Sequence, residues 1–269
     1  MLELSGHETA LQVFRTDHTF SQSQQSRSLH FLPRTIMDSY QVQPIGYVHS
    51  CFKEKFAIPR QPALAPAARG TIELLAPYNQ PRALEGLEQV SHIWVIFLFH
   101  RAQDQQHRLQ VRPPRLGGNQ RLGVFASRAS HRPNSIGQSL VKLDRIDSQC
   151  QLHISGIDLL DGTPVLDIKP YIPFIESIPD AWNRIAEQPP ALLPVDWQPE
   201  ALSSAQKHAL RLQEPLVELI EQCLSQDPKP AYQTPAPSRQ YGALLHDVNV
   251  VWCYPEGGGI LVLAVEQIG

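Results

Sequence analysis

Three side chains in one short segment have types and a spacing that suit acid–base chemistry. In DIKPY (167–171), Asp167, Lys169 and Tyr171 recur at every second position. Alternate side chains of an extended strand point to the same face, so the spacing predicts a shared face for all three. Charged groups are costly inside a core but useful in a cleft, where a carboxylate can accept a proton. A purely structural Asp–Lys ion pair is the alternative interpretation.

Arginine is concentrated in one stretch of the chain. Residues 101–132 contain seven arginines and a single acidic residue, Asp104, whereas residues 133–269 contain eight lysines and arginines and seventeen acids. A guanidinium group binds phosphate or carboxylate through paired hydrogen bonds and stacks on planar rings, so the block suits such partners better than lysines would. A solvated basic face is the alternative.

The loop sequence SHRPNSIG (130–137) has features that favour ligand binding. Proline fixes its own backbone angle, Asn134 and Ser135 can cap a helical turn, and Gly137 permits a close approach. Such a loop can direct amide donors at an anion or a base edge, while Arg128 and Arg132 supply charge. A structural Pro-Asn turn explains the same residues without a ligand.

The elements that position these groups are mostly strands. Short apolar or alternating runs follow each other with Gly, Pro and Asn turns between them, namely 40–48, 70–76, 92–100, 121–126, 138–144, 150–157 and 164–168. Only residues 84–91 resemble a helix in this region. Many short strands without long helices predict a barrel or sandwich, and the absence of GxGxxG disfavours a doubly wound nucleotide fold.

The last third of the chain has a different pattern. Apolar residues recur at three- or four-residue steps over 200–226, which predicts two short helices separated at Pro215. The runs 249–254 and 260–265 flank a glycine-rich turn and predict a hairpin. We therefore predict a mainly β protein with a disordered extension at 1–36, a small β-barrel at 37–188 and a smaller C-terminal α/β domain at 189–269.

Composition limits the classes of function. The chain has 269 residues, 42% hydrophobic and 18% charged, with no run of 18 apolar residues, so no membrane span is expected. Its four cysteines are widely spaced and form no CxxC pair, which argues against a zinc ribbon or a disulfide framework and fits a cytoplasmic protein.

Several long motifs in one order resemble a known family. EKFAIPRQP (54–62), SHIWVIFLFH (91–100), GVFASRASHRPNSIGQSLV (123–141), LLDGTPVLDIKPY (159–171) and QDPKPAY (226–232) look like the TsaA-like family, and more narrowly its bacterial TrmO branch. The resemblance implies a homodimer whose small barrel binds S-adenosylmethionine and acts on the tRNA anticodon loop. Members of this branch methylate N6 of threonylcarbamoyladenosine next to the anticodon. Methyl transfer from this cofactor needs no metal.

The resemblance also assigns roles to residues. The cofactor-binding positions that it implies are Pro59, Arg60, Gln61, His100, Arg101, Arg128, Leu140, Asp158, Leu159, Leu160, Asp161, Gly162 and Thr163. Asp167, with Lys169 and Tyr171, is the catalytic group if N6 must lose a proton. Arg132, Asn134, Asp227, Lys229 and Tyr232 are the substrate-binding positions. Ordinary turns, a strand-capping histidine, an Asp-Gly hairpin and a Pro-rich linker are the structural alternatives at these places.

Two other functions stay open from the sequence. A non-catalytic RNA-binding barrel would use the arginine block and need no S-adenosylmethionine. The second is a methyltransferase of the same barrel family that acts on another nucleoside or a small molecule, which only product analysis separates from the main interpretation.

Overall fold

The computed structural model describes residues 40–102, 109–112, 121–229, 233–234, 236 and 238–269. Residues Val42–Gly269 form one compact unit. The extension predicted at 1–36 lies outside the described residues. No helix of the described ranges is long and apolar enough to cross a membrane.

A closed antiparallel barrel of six strands is the main element. Its strands are β1 (Gly46–Ser50), β2 (Arg69–Leu74), β3 (His92–Leu98), β6 (Ile136–Ile146), β7 (Leu152–Ser155) and β8 (Thr163–Pro170). Around the barrel their order is β1–β2–β7–β6–β3–β8, and β8 closes it by pairing with β1. On β3, alternate residues are buried inside the barrel, as the two-residue period of a strand requires. The prediction of a mainly β fold built on a small barrel is confirmed.

Two predicted elements before β6 differ from the structure. The strand predicted at 121–126 is reduced to β5 (Leu122–Gly123), which pairs with β4 (Gln110–Val111) and continues as a 3-10 turn. This turn forms a backbone hydrogen bond within itself, from Ser127 N to Val124 O at 3.3 Å, and so does not need a partner strand. The helix predicted at 84–91 is divided into α1 (Pro81–Leu84) and a 3-10 turn by Gly86, whose φ of 88° is left-handed.

The C-terminal part combines a second sheet with two helices. Its strands are β9 (Val195–Trp197), β10 (Gln240–Leu245), β11 (Val248–Cys253) and β12 (Ile260–Gln267), in the order β10–β11–β12–β9. Helices α3 (Pro199–Leu212) and α4 (Leu216–Leu224) flank Pro215, so the predicted break is confirmed, as is the final hairpin. A short helix, α2 (Pro173–Glu176), follows the barrel.

Residues 51–68, here called the connecting segment, lie between the barrel and the C-terminal sheet. Phe52 is fully buried and forms a β-bridge with Leu245. Phe56 stacks on Trp252 with ring centroids 5.7 Å apart and planes at 10°. The buried side chains of the barrel and of the C-terminal sheet belong to one continuous core. The connecting segment is therefore fixed by apolar contacts on both sides.

Side chains at the end of α4 satisfy the backbone of the connecting segment. Oε1 of Gln222 accepts a hydrogen bond from Ala67 N at 2.8 Å. The buried carboxamide of Gln226 accepts from Arg60 N at 3.3 Å and donates to Leu64 O at 3.2 Å. A segment with several prolines has few sheet partners, so these side chains replace the missing backbone bonds.

Replacement of Gln226 tests this arrangement. Gln226→Leu leaves Arg60 N and Leu64 O without their partner, and each unsatisfied buried group costs about 1–3 kcal/mol. We expect urea unfolding to show a loss of roughly 2–4 kcal/mol. The control Gln206→Leu, at an exposed position of α3, should stay within about 0.5 kcal/mol of the wild type. Equal stability of the two variants would contradict the structural role of Gln226.

Candidate functional site

A cavity of about 530 Å³ lies at the end of the barrel where β3 ends and β6 begins. Its volume falls within the range of small-molecule sites, roughly 300–1,000 Å³. The lining residues are Pro59, Arg60, Gln61, Phe97, Phe99, Ser127, Arg128, Ser130, Arg132, Ile136, Gly137, Gln138, Ser139 and Asp158. The cavity thus brings together the connecting segment, the loop after β5 and the turn after β7.

Two phenylalanines form the apolar part of the cavity. The rings of Phe97 and Phe99 pack edge to face, with centroids 5.0 Å apart. A Cβ atom at Gly137 would lie 2.4 Å from the Phe97 ring, so any larger residue would require that ring to move. The predicted close approach at Gly137 is therefore made by an aromatic side chain of the protein itself.

Asp158 supplies a buried carboxyl group to the cavity. Ser139 Oγ donates a hydrogen bond to Asp158 Oδ1 at 2.6 Å. Burial raises the pKa of Asp158, while the bond from Ser139 and the charge of Arg128 oppose this rise only in part. A bound cation would compensate the desolvation of the ionised carboxylate, so Asp158 is suited to a positively charged ligand group.

Arg128 joins the loop after β5 to the connecting segment. Its Nη1 donates to Gln61 Oε1 at 2.5 Å, and its Nη2 donates to Gln138 O at 3.3 Å. Gln61 in turn donates to the carbonyl oxygen of Arg60. The structure therefore brings Pro59, Arg60, Gln61 and Arg128 to one cavity, although almost 70 residues separate the two segments.

Arg132 also lines the cavity, and its guanidinium group holds the loop backbone. Its Nη1 donates to Ser127 O at 2.5 Å and to Val124 O at 3.4 Å. The turn Pro133–Ser135 has no side-chain cap, so the predicted capping by Asn134 and Ser135 is wrong. Both residues have left-handed φ angles, 63° and 52°, and Asn134 is exposed outside the cavity lining.

Within the Asp-Gly turn, only Asp158 lines the cavity. Leu159, Leu160 and Thr163 are buried and do not line the cavity, so their contact with a cofactor stays a prediction. Asp161 accepts a hydrogen bond from Ser50 N at the end of β1 and pairs with Lys53 of the connecting segment at 2.9 Å. Gly162 is an exposed turn residue with a φ of 73°.

Three further predicted cofactor contacts do not line the cavity. His100 is half-buried after the end of β3, where burial and the charges of Arg101 and Lys55 lower its pKa. The backbone carbonyl of Arg101 accepts a hydrogen bond from Lys55. Leu140 is half-buried on β6 and pairs with Trp94 of β3.

The predicted catalytic group lies on the outer face of the barrel. The side chains of Asp167 and Lys169 are 52% and 62% exposed, and Lys169 Nζ lies 3.7 Å from Asp167 Oδ2. Tyr171 packs edge to face on Trp94. None of the three lines the cavity. The shared face of Asp167 and Lys169 is as predicted, but this geometry favours the structural ion pair.

Asp227 and Lys229 form a compact cluster with a residue that the sequence did not indicate. Lys229 Nζ donates to Asp227 Oδ2 at 2.7 Å, and Tyr254 OH donates to Asp227 Oδ1 at 2.8 Å. Burial and the contact with Asp227 raise the pKa of Tyr254. The cluster directly follows Gln226, which binds the backbone of Arg60. Tyr232 lies outside the described residues.

Sequence reasoning also missed the aromatic wall and the hydrogen-bond partner of Asp158. Phe97 and Phe99 share the two-residue period of β3, which was a usable signal for one face of the strand. Ser139 and Tyr254 had no local signal, because their roles depend on long-range contacts. Among the described residues, no group of three or more His, Cys, Asp or Glu side chains is placed to hold a metal ion.

Two known proteins have sequences similar to this chain over most of its length. A relative from Pseudomonas aeruginosa, named a putative S-adenosylmethionine-dependent methyltransferase RcsF, is 60% identical over 84% of this chain and 98% of its own length. A tRNA (adenine(37)-N6)-methyltransferase from Escherichia coli is 44% identical over 82% of this chain and 96% of its own length.

A solved structure and two family models also match this chain. A crystal structure of TrmO from Pseudomonas aeruginosa is 52% identical, with a TM-score of 0.75 over 86% of this chain and all of that chain. The model of the tRNA-methyltransferase O N-terminal domain matches residues 47–177, and that of the TrmO C-terminal domain matches residues 190–268. With both family domains present in order and the same fold, the chain belongs to the TrmO family.

Proposed function

We propose that this protein transfers a methyl group from S-adenosylmethionine to N6 of adenosine 37 in tRNA, and that the substrate nucleoside is N6-threonylcarbamoyladenosine. The observation that carries the proposal is the cavity at the barrel end, where a buried carboxyl group, arginines and aromatic rings meet. A tRNA substrate makes the cytoplasm the expected location.

The cavity residues fit the chemical groups of the proposed cofactor. S-adenosylmethionine carries an ammonium group, a sulfonium, a carboxylate and an adenine ring. Asp158 suits the ammonium group, because a cation offsets the cost of its buried charge. Arg60 and Arg128 suit the carboxylate, and the Phe97 and Phe99 rings offer faces to the adenine or the sulfonium.

The protein residues have to position the reactants and exclude water. When bound, S-adenosylmethionine supplies an activated methyl group for in-line displacement. The hydrogen bonds of Arg128 to Gln61 and Gln138 hold two cavity walls in a fixed relation. Such pre-organisation places nucleophile and methyl group in line without further ordering.

The Asp227 cluster does not line the cavity itself, but it is a second candidate for contact with N6. Both carboxylate oxygens of Asp227 accept hydrogen bonds, so its orientation is fixed. Gln226, the preceding residue, ties the cluster to Arg60 in the cavity wall. We propose that Asp227 accepts the N6 proton. A catalytic role for Asp167, Lys169 and Tyr171 stays a prediction that exposure on the outer barrel face does not favour.

The threonylcarbamoyl group suits the charge and chemistry of this site. It carries a carboxylate, for which Arg132 in the cavity wall is complementary. Its carbamoyl carbonyl also makes N6 more acidic than a simple amine, which reduces the need for a strong base. These two points support the modified nucleoside over plain adenosine as the substrate.

We also propose a homodimer that uses the apolar surface around α2. The structure exposes six large apolar side chains between residues 172 and 185, a density unusual for a monomer surface. They are Ile172, Phe174, Ile175, Ile178, Trp182 and Ile185. Burying such a contiguous apolar stretch against a second copy removes it from water.

Product analysis tests the proposed reaction. We expect mass spectrometry of tRNA nucleosides to show a methyl group on threonylcarbamoyladenosine, with at least about 100-fold less product when the threonylcarbamoyl group is absent.

Arg128→Ala should weaken cofactor binding about 10-fold or more, whereas the exposed Arg82→Ala should not. Binding of tRNA without product formation would instead support a non-catalytic RNA-binding barrel, and product on another nucleoside would support a different substrate.

The pH dependence of cofactor affinity tests Asp158. The ionised carboxylate pairs with the ammonium group, and burial raises the pKa of Asp158, so affinity should rise with pH through that raised pKa and then level off. Asp158→Asn should lose this rise and bind several-fold more weakly above it. Calorimetry over pH 4–8 measures both effects. The exposed Asp196→Asn serves as the control and should keep the wild-type profile.

Sedimentation velocity tests the dimer. We expect the wild type to sediment at twice the 30.2 kDa chain mass, and Trp182→Asp to shift the protein to the monomer, because a buried unpaired charge opposes association. Leu210→Asp, at an exposed position of α3, should remain dimeric. A monomeric wild type at micromolar concentration, or a dimeric Trp182→Asp, would reject this interface.

A further inference from the structure

Two exposed apolar side chains, Leu109 and Phe125, lie next to the paired strands β4 and β5 and precede the cavity residues Ser127 and Arg128 in the chain. Leu109 is 81% exposed and Phe125 is 80% exposed, whereas their neighbours Val111 and Val124 are buried. Val124 N donates to Leu109 O at 3.0 Å, so Leu109 lies opposite the residue that precedes Phe125. The inward valines anchor these paired strands, and the outward leucine and phenylalanine face solvent.

The turn that carries Phe125 is tied to the cavity wall. Val124–Ala126 forms a 3-10 turn, and the next two residues, Ser127 and Arg128, line the cavity. The carbonyl oxygen of Val124 accepts hydrogen bonds from Ser127 Oγ at 3.1 Å and from Arg132 Nη1 at 3.4 Å. Phe125 is therefore held at a defined position beside the site, although its ring packs on little else.

The chain segments that carry this apolar pair have charge of one sign. In the described ranges 109–112 and 121–135 there is no aspartate or glutamate. The basic residues in the same ranges are Arg112, Arg121, Arg128, His131 and Arg132. Unpaired RNA presents flat apolar bases together with phosphates, and proteins bind it by stacking bases on aromatic rings and neutralising phosphates with arginine. An apolar pair carried by basic segments is complementary to that chemistry.

We propose that Phe125 and Leu109 form a stacking platform for an unpaired base of the anticodon loop next to the target adenosine. The proposal rests on the proposed tRNA methyltransferase function and adds the surface that receives the substrate. Phe125 provides the ring face, Leu109 extends the apolar contact, and the exposed Arg112 and Arg121 bind the phosphates on either side. The platform acts on RNA binding and leaves the cofactor site unchanged.

Substitutions at Phe125 separate stacking from other roles. Phe125→Ala should weaken binding of a 17-nucleotide anticodon stem-loop by roughly 5- to 150-fold, the range for loss of one stacked base. Phe125→Trp, which keeps a ring face, should bind within about 3-fold of the wild type. Leu109→Ala should give a smaller loss, and Leu210→Ala, equally exposed on α3, should give none. Calorimetry should give the same S-adenosylmethionine affinity for all variants.

The outcomes distinguish this inference from the function on which it rests. Wild-type RNA affinity in Phe125→Ala would overturn the platform while an active wild type leaves the methyltransferase function intact. Absence of product from the wild-type protein would instead reject the function. If Phe125→Ala loses RNA binding and also becomes monomeric by sedimentation, Phe125 contacts a second copy of the chain and the stacking role is rejected. Thermal unfolding confirms that each variant is folded.

Discussion

The hydrogen bonds between the end of α4 and the connecting segment are the constraint on which the cavity depends. A segment that contains Pro59 and Pro62 forms no regular strand, yet it packs against both the barrel and the C-terminal sheet, with part of its backbone buried. Buried backbone groups require partners, and the carboxamide of Gln226 supplies them. The position of Arg60 and Gln61 in the cavity wall is therefore set by the C-terminal part of the chain as much as by the barrel.

The cavity combines groups of opposite character at short range. A carboxyl group that burial makes hard to ionise lies in the same space as several guanidinium groups and two aromatic rings. Such a mixture is a poor environment for an apolar ligand and a good one for a molecule that carries both charges and a flat heterocycle. Membership in the TrmO family and the chemistry of the lining residues point to the same class of ligand, although they are independent observations.

Local patterns in the sequence were enough for most of the strands and for the family, but not for the contents of the cavity. The two-residue period of β3 and the helical period on either side of Pro215 are properties of neighbouring residues, and they predicted the elements correctly. Whether the side chains of Leu159 and Leu160 are buried depends on which side of the turn faces the core, and packing between distant strands determines that side. The partners of Asp158 and Asp227 were likewise invisible, because Ser139 and Tyr254 come from other elements.

The bond between Arg60 and Gln226 has a consequence for how the chain is made. The two residues are 166 positions apart, so a ribosome that adds about 5–20 residues per second needs roughly 10–30 s to deliver the second after the first. During that interval the barrel strands emerge in full, while the wall that contains Arg60 has no partner for its backbone. The cavity wall around Arg60 can reach its final structure only after Gln226 has been synthesised. A chain that terminates before Gln226 would therefore have a barrel whose cavity wall lacks this hydrogen bond.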